Sequence, residues 1–417
     1  MKLHLRLNPK WRYKPAWSVL RHREELGGDG PLLSLSATFG VRERVEGEGR
    51  AASEDTSGYR VVFPGDVVIN RLVARDGAIS ISNLHGQISP AYWVLVPEPG
   101  SDARFINYLL NSSPYLAEIG ARSKCMPPAQ FDLPWEQFRT IPIACPDATL
   151  QRATADYLDA ETARIDALIA KKQQMIELLE HRAVALAHTA ITGARLAGPK
   201  VASRLQWLGD LPVGWALPPL GSQFEVVLGR MLNSERAAGG DLRPYIRNVN
   251  VRWDRVDVDD LAEMDFPLNE QSRYRLRVGD LVINEGGAGV GRSAIWRGEV
   301  KECYFQKSVL RLRPVGHTVP EWIIECMRVA VAQKVPLVEG NLATIPHLPA
   351  EALRVWRLPM PDQATQHAQL EWLGKARQKD IAIQDDLIKQ VSLLRERRQA
   401  LITDAVAGEL QIPGMAA

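Results

Sequence analysis

Eight residues between two β-type runs, Gly286-Gly287-Ala288-Gly289-Val290-Gly291-Arg292-Ser293, come nearest to a chemical motif in this chain. They nearly spell the phosphate-cradling loop G-x-x-x-x-G-K-[ST], whose lysine reaches the outer phosphates and whose glycines open a helix. Here Arg292 replaces the lysine, and Ala294-Ile295-Trp296 continues as a strand. The segment reads instead as a glycine-rich hairpin that lets backbone approach another molecule closely. The eight histidines include no H-E-x-x-H and no pairing with cysteine at metal-ligand spacing. No G-x-S-x-G elbow occurs, nor a D/N-P-P-Y/F adenine methyltransferase motif, nor a carboxylate cluster of nuclease type. Four cysteines, Cys125, Cys145, Cys303 and Cys326, lie far apart, which excludes a C-x-x-C site and a disulfide framework. The expectation is a chain with no catalytic residues, metal or cofactor of its own.

A second chemistry is hinted at by Arg243, Arg247 and Arg252 around Asn248 and Asn250. Arginine suits phosphate or guanine and asparagine suits adenine edges, so a DNA-facing loop would use these types. A polar strand with solvated arginines is an equal reading of the same residues. With Lys+Arg 51 against Asp+Glu 49, a net charge of +2 excludes a globally basic nucleic-acid binder, so any polyanion site is local. The 46% hydrophobic and 24% charged residues are those of folded protein, and 417 residues imply two or three domains. No apolar run of about 18 residues would span a bilayer, and the opening residues lack the apolar core of a secretory signal. A cytoplasmic protein is expected.

The elements that must position such residues are written twice. Residues 143–193 align without gaps on residues 358–408, with about 13 of about 51 positions identical, among them Pro146/Pro361, Asp147/Asp362, Gln151/Gln366 and Gly193/Gly408. Between these copies, Gly65-Asp66-Val67-Val68-Ile69-Asn70 matches Gly279-Asp280-Leu281-Val282-Ile283-Asn284. The organisation predicted is residues 1–142 as a first α+β domain, 143–196 as a long helix, 197–357 as a second α+β domain, and 358–417 as a second long helix and tail. In the first helix Ile165, Ile169, Ile176, Leu179 and Leu186 fall at 4-3 spacing with Lys172 as the polar member. In the second, Leu387, Val391, Leu394 and Leu401 keep that register while Asp380, Gln384 and Arg398 interrupt it. A heptad stripe needs a partner, and two helices of equal length predict an antiparallel coiled coil within the chain, giving the fold an internal pseudo-two-fold repeat.

This alternation resembles the specificity subunit of type I restriction-modification systems over essentially the whole chain. The telling residues are Ser203–Trp215 (SRLQWLGDLPVGW), the helix entries IACPDATLQ (143–151) and LPMPDQATQ (358–366), and the helix ends RAVALAHTAITG (182–193) and RQALITDAVAG (398–408). The family's usual glutamate before each glutamine is replaced by Leu150 and Thr365. The resemblance implies that both α+β domains are target recognition domains, each reading one half of a bipartite, asymmetric double-stranded DNA site. The helices would set the half-site spacing and dock two modification subunits. S-adenosylmethionine would belong to those subunits, and ATP with Mg to restriction subunits, leaving this chain non-catalytic. Half-sites read from one side of the duplex would be centred about 34–36 Å apart.

By the same resemblance, the reading face of the second domain would include the Tyr245–Val251 strand with Arg243, Arg247, Asn248 and Asn250, the hairpin Arg292, and Gln306-Lys307. In the first domain Arg71, Arg75, Ser89 and Tyr92 correspond; Arg42, Arg44, Arg122 and Lys124 are added on charge alone. The rival reading is a coiled-coil adaptor that binds proteins and not DNA.

Overall fold

The computed structural model describes residues 8–28, 30–45, 55–126, 130–233, 237, 239–287, 289–316, 318–335 and 347–414. Two compact units divide it: residues 1–173 with 388–417, and residues 174–387.

In the first unit the chain order is β1 (Arg12–Pro15), β2 (Leu20–His22), β3 (Leu33–Ser36), β4 (Gly40–Glu43), β5 (Arg60–Val62), β6 (Val67–Asn70), β7 (Ile79–Ile81), β8 (Gly86–Ile88), β9 (Tyr92–Pro97), α1 (Ala103–Leu110), α2 (Ser113–Arg122), β10 (Lys124–Met126), β11 (Gln130–Asp132), α3 (Trp135–Phe138), β12 (Pro142–Cys145) and the long α4 (Ala148–Ile191). A four-stranded antiparallel sheet in the order β2-β9-β6-β7 carries the core. Successive side chains of β6 point to opposite faces. Val67 and Ile69 pack with Phe105, Ile106 and Leu109 of α1. Val68 packs the other way, with Leu33, Leu35, Val62 and Ile88. Burial on both faces is why β6 is written as an unbroken apolar run and not as an alternation.

The second unit repeats this plan with β13 (Lys200–Ala202), β14 (Asp210–Pro212), β15 (Phe224–Leu228), β16 (Leu242–Ile246), β17 (Ala262–Asp265), α5 (Leu268–Tyr274), β18 (Leu281–Asn284), β19 (Ser293–Ile295), β20 (Tyr304–Phe305), β21 (Val309–Pro314), α6 (Pro320–Ala332), α7 (Ala350–Val355) and the long α8 (Gln363–Ala407). Its main sheet has the order β15-β21-β18-β19, the same as β2-β9-β6-β7. The register matches too, since Leu281 faces Leu312 as Val67 faces Leu95. The shared Gly-Asp of the sequence repeat builds the turn before each central strand. Gly65 and Gly279 take left-handed φ of 93° and 90°, which favours glycine. Asp66 and Asp280 accept the amides of Phe63 and Arg277, and each receives a two-pronged arginine, Arg23 and Arg313 respectively.

The helix entries explain the surviving glutamines. Asp147 and Asp362 cap the long helices by accepting the amides of Leu150 and Thr365. Gln151 Oε1 accepts the Asp102 amide at the start of α1 while its Nε2 donates to the Pro146 carbonyl. Gln366 does the same for Val319, at the start of α6, and for Pro361. One buried amide thus ties each domain's helix to the entry of the following rod. Where the rods end, Gly193 and Gly408 adopt φ of 57° and 72°. A Cβ on Gly193 would lie 3.0 Å from Trp215, and one on Gly408 would lie 2.5 Å from Trp11.

At 44 and 45 residues, α4 and α8 are rods of roughly 66 Å each. Within the first unit, Ile165 and Ile169 of α4 cluster with Val391, Leu394 and Leu401 of α8. Lys172 donates to Gln390, and Arg398 pairs with Asp166 at 2.9 Å. Within the second, Arg182 pairs with Asp380 at 3.1 Å and Gln384 donates to Glu180 at 3.4 Å. Numbers rise along one helix as they fall along the other, so the pairing is antiparallel. Leu387 is buried, whereas Ile176, Leu179 and Leu186 are only half-buried. The polar residues that break the apolar seam each meet a complementary group on the opposite helix.

Candidate nucleic-acid interface

In the second unit the strand expected through Val251 stops at Ile246, and Asn248–Asn250 form a single 3-10 turn. The cause is Asn250. Its Oδ1 accepts the Arg247 amide, its Nδ2 donates to the carbonyls of Asp257 and Asp260, and only 3% of it is exposed. Asn250 therefore builds the turn, and its amide is not displayed to a base; this corrects the sequence expectation. Arg247 is held by the carboxylate and carbonyl of Asp260, and Arg243 by Asp241 and Glu302.

The turn aims Asn248 at the glycine hairpin. The Asn248 amide donates to Ser308 Oγ, which donates to Gln306 Oε1, and Asn284 Nδ2 donates to the Asn248 carbonyl. On the hairpin, Asn284 and Arg292 close the ladder through their backbones. A Cβ on Gly287 would sit 3.4 Å from Asn248 Nδ2, and one on Gly289 would sit 3.0 Å from Asn284 Nδ2 and 3.4 Å from Arg292 Cδ. Asn248, Arg292 and Gln306 thus share one surface, with Lys307 exposed beside them. Two amides and two cations are the side-chain types that can pair with adenine edges and with guanine or phosphate. Behind it lies Glu285, its carboxyl raised above the usual range by burial, with His347 at 3.5 Å. Asn284 and Ser308 escaped the sequence reading, although Asn284 recurs as Asn70 in the repeated GD-x-VIN segment.

The first unit puts different residues at the equivalent end of its sheet. Arg71 pairs with Asp132 at 2.8 Å and the Arg75 guanidinium lies 3.5 Å over the Phe131 ring, so both hold the β10–β11 hairpin that carries the exposed Lys124. The adjoining turn runs from Ser89 to Tyr92, whose amide donates to the Ser89 carbonyl. Burial raises the Tyr92 phenol, and Arg44 lies close enough to oppose that shift. Arg42 projects from β4 over the Phe39 ring at 4.4 Å. Arg122 is different. It is buried in an ion pair with Glu118 at 2.7 Å and donates to the Gln137 carbonyl and Thr140 hydroxyl. Charge alone misplaced it, because an arginine at a helix end can serve the core as readily as the surface.

Among the described residues, no group of three or more His, Cys, Asp or Glu side chains is arranged to hold a metal ion, and no helix is long and apolar enough to cross a membrane. The fold and site define a duplicated protein in which two α+β domains of one plan, with unlike loops, alternate with two long antiparallel helices. Proteins of known kind are similar to it in sequence or in fold. The chain is 26% identical over 243 residues to the type I restriction enzyme EcoKI specificity subunit of Escherichia coli (strain K12), covering 55% of this chain and 48% of that protein. It is 26% identical over 209 residues to the type I restriction enzyme StySPI specificity subunit of Salmonella potsdam, covering 48% and 44%. The matches thus span about half the length of these curated relatives. In fold it is similar to a solved chain described under complex assembly and conformational transition of the type I R-M system, with a TM-score of 0.57 and 17% identity over 97% of this chain and 100% of that one. No family model matches the chain. The resemblance to type I specificity subunits therefore holds in sequence over half the chain, and the fold likeness extends over nearly all of it.

Proposed function

We propose that this chain is the DNA-reading specificity subunit of a type I restriction-modification complex, each α+β domain reading one half of a bipartite, asymmetric site. The observation that carries this reading is duplication with divergence. The sheet order, the Gly-Asp turn and the glutamine ties are the same in both units. The loops at the equivalent sheet ends are not: a hairpin with Asn248, Arg292 and Gln306 nearby in one, an Arg71–Gly77 turn backed by a β-hairpin in the other. Two unlike readers on one scaffold suit two unlike half-sites, with the rods setting the spacing between them.

Docking of two modification subunits on the rods is supported by a repeated outer stripe. Leu168 and Leu178 of α4 are 49% and 60% exposed, and their counterparts in the sequence repeat, Ile383 and Leu393 of α8, are 47% and 62% exposed. Apolar residues exposed at the same repeat positions offer two alike patches, as two copies of one partner require. S-adenosylmethionine, ATP and Mg would be bound by partner subunits, and this chain would contribute no catalytic group.

The test is methylation-site sequencing with the chain assembled with its modification partner. Asn248→Ala or Gln306→Ala is expected to relax one base pair in one half-site, a discrimination loss of about 1–3 kcal/mol, with the other half-site and the spacer unchanged. Relaxation in both half-sites together, or a unipartite motif, refutes the division of labour. No specific methylation and no duplex binding by the assembled complex favours a protein adaptor instead.

A further inference from the structure

At the other end of the second unit's sheet, away from the glycine hairpin, lies a cavity of about 720 Å³ lined by Arg273, Arg277, Arg313 and Arg354 with Glu225 as its one acid. Its floor is the start of β15 at Phe224 and Val226. Arg311 stands under it, its side chain 2% exposed, donating to Glu225 Oε2 at 2.6 Å and to the Arg273 carbonyl at 2.9 Å. Arg313 is committed to Asp280 through two bonds, and Arg354 to the Val226 carbonyl. Arg273 and Arg277 are exposed and have no carboxylate partner among the described residues. The acids of the immediate shell are Glu225, Asp280 and, at 3.8 Å from Arg354, Glu351. Five guanidinium groups against three carboxylates leave the pocket positive.

The fold does not require this charge. By strand register and the Gly-Asp repeat, the first unit has Phe63, Val94 and Val96 where the second has Arg277, Arg311 and Arg313. Burying Arg311 in place of a valine is costly unless the charge is used. Burial and then Arg313 oppose its ionisation, Glu225 and Asp280 offset part of this, and Arg277 adds to the repulsion. A bound anion relieves that repulsion. Guanidinium forks match the tetrahedral oxygens of phosphate, and the cavity is of small-ligand size.

We propose that this arginine pocket is a phosphate-binding site, separate from the base-reading surface, that takes either a backbone phosphate of DNA or a free phosphorylated compound. The inference goes beyond the proposed function and does not depend on which bases are read. Inorganic pyrophosphate titrated into the full-length chain, followed by calorimetry, tests it. The wild type is expected to bind. Arg273→Ala/Arg277→Ala is expected to weaken binding at least tenfold with little change in the thermal midpoint, since neither side chain has a carboxylate partner among the described residues and Arg273 only lies over the Tyr274 ring at 5.6 Å. Arg273→Lys/Arg277→Lys is expected to recover only part of that loss, because an ammonium keeps the charge without the fork. A salt titration of duplex binding identifies the source. A log–log slope reduced by about two in the alanine variant assigns the pocket to DNA phosphates, and an unchanged slope assigns it to a free phosphate compound. Absence of pyrophosphate binding to the wild type, or equal binding by the alanine variant, overturns the proposal. Either result leaves half-site reading untouched, because that is measured by methylation of a bipartite motif.

Discussion

Glu325 is the sharpest place to test how the second unit grips its rod. It lies on α6 with a side chain 9% exposed and receives both Nη atoms of Arg377 from α8 at 2.8 Å each. Arg377 also donates to the Ala183 carbonyl of α4, so one guanidinium fastens three helices. Arg328, 10% exposed, reaches Glu325 at 3.3 Å and Asp254 at 2.6 Å. Glu325→Gln keeps the shape and removes the only carboxylate facing Arg377 among the described residues. An uncompensated buried charge of this kind costs about 3–5 kcal/mol. For a unit of this size each kcal/mol is worth about 2–4 °C, so the midpoint should fall by roughly 6–20 °C. Arg377→Gln should cost less, because Arg328 still neutralises Glu325. The first unit solves the same problem without a buried ion pair: at the equivalent positions Tyr108 meets Thr162 at 3.2 Å and also donates to Asp159. Grafting that answer as Glu325→Tyr/Arg377→Thr should recover part of the loss, though not all, since Gly374 stands where Asp159 does. The measurements are calorimetric unfolding and amide exchange along α6, combined as a double-mutant cycle. A Glu325→Gln protein within about 1 kcal/mol of wild type refutes the reasoning.

Two further outcomes are expected. Gln151→Ala and Gln366→Ala should each destabilise by about 1–3 kcal/mol, because a backbone amide and a carbonyl at the helix junction lose their partner; faster exchange of the Asp102 or Val319 amide checks it, and no change in exchange contradicts it. Burial raises the Glu285 carboxyl, against the pull of His347 and Lys307. A raised folded pKa favours the fold below the ordinary glutamate value of about 4.3, and that contribution is lost as pH climbs through the raised value. Thermal midpoints against pH should therefore show Glu285→Gln gaining on the wild type from pH 4 upward, and a variant that loses ground as pH rises contradicts the cause assigned.

Much of the architecture was written in local patterns. The ungapped repeat marked two copies, and the 4-3 stripe of Ile165 and Ile169 with Leu387 and Val391 marked rods that bury their seams on each other. The Gly-Asp pair marked the turn before each central strand, since φ near 90° and a capping carboxylate are demands of the local backbone. The glycines after Asn284 sit between two antiparallel strands because Ser293–Ile295 continues as a strand and not as a helix. Site residues were less legible. Arg122 and Asn250 have the types that touch DNA, yet both face inward.

Sequence alone determined what depends on near neighbours and periodicity: the duplication, the helices, their caps and the absence of catalytic motifs. Tertiary structure alone decided which charges are spent. Asp166 meets Arg398, Asp380 meets Arg182, and Glu325 meets Arg377 only when segments far apart in sequence are packed together. The same holds for the pocket of Arg273 and Arg277, whose arginines look like any others until burial and pairing single them out. A side chain's type states which partners it accepts; solvent exposure and the distance to an opposite charge, which the fold sets, determine whether it is free to bind.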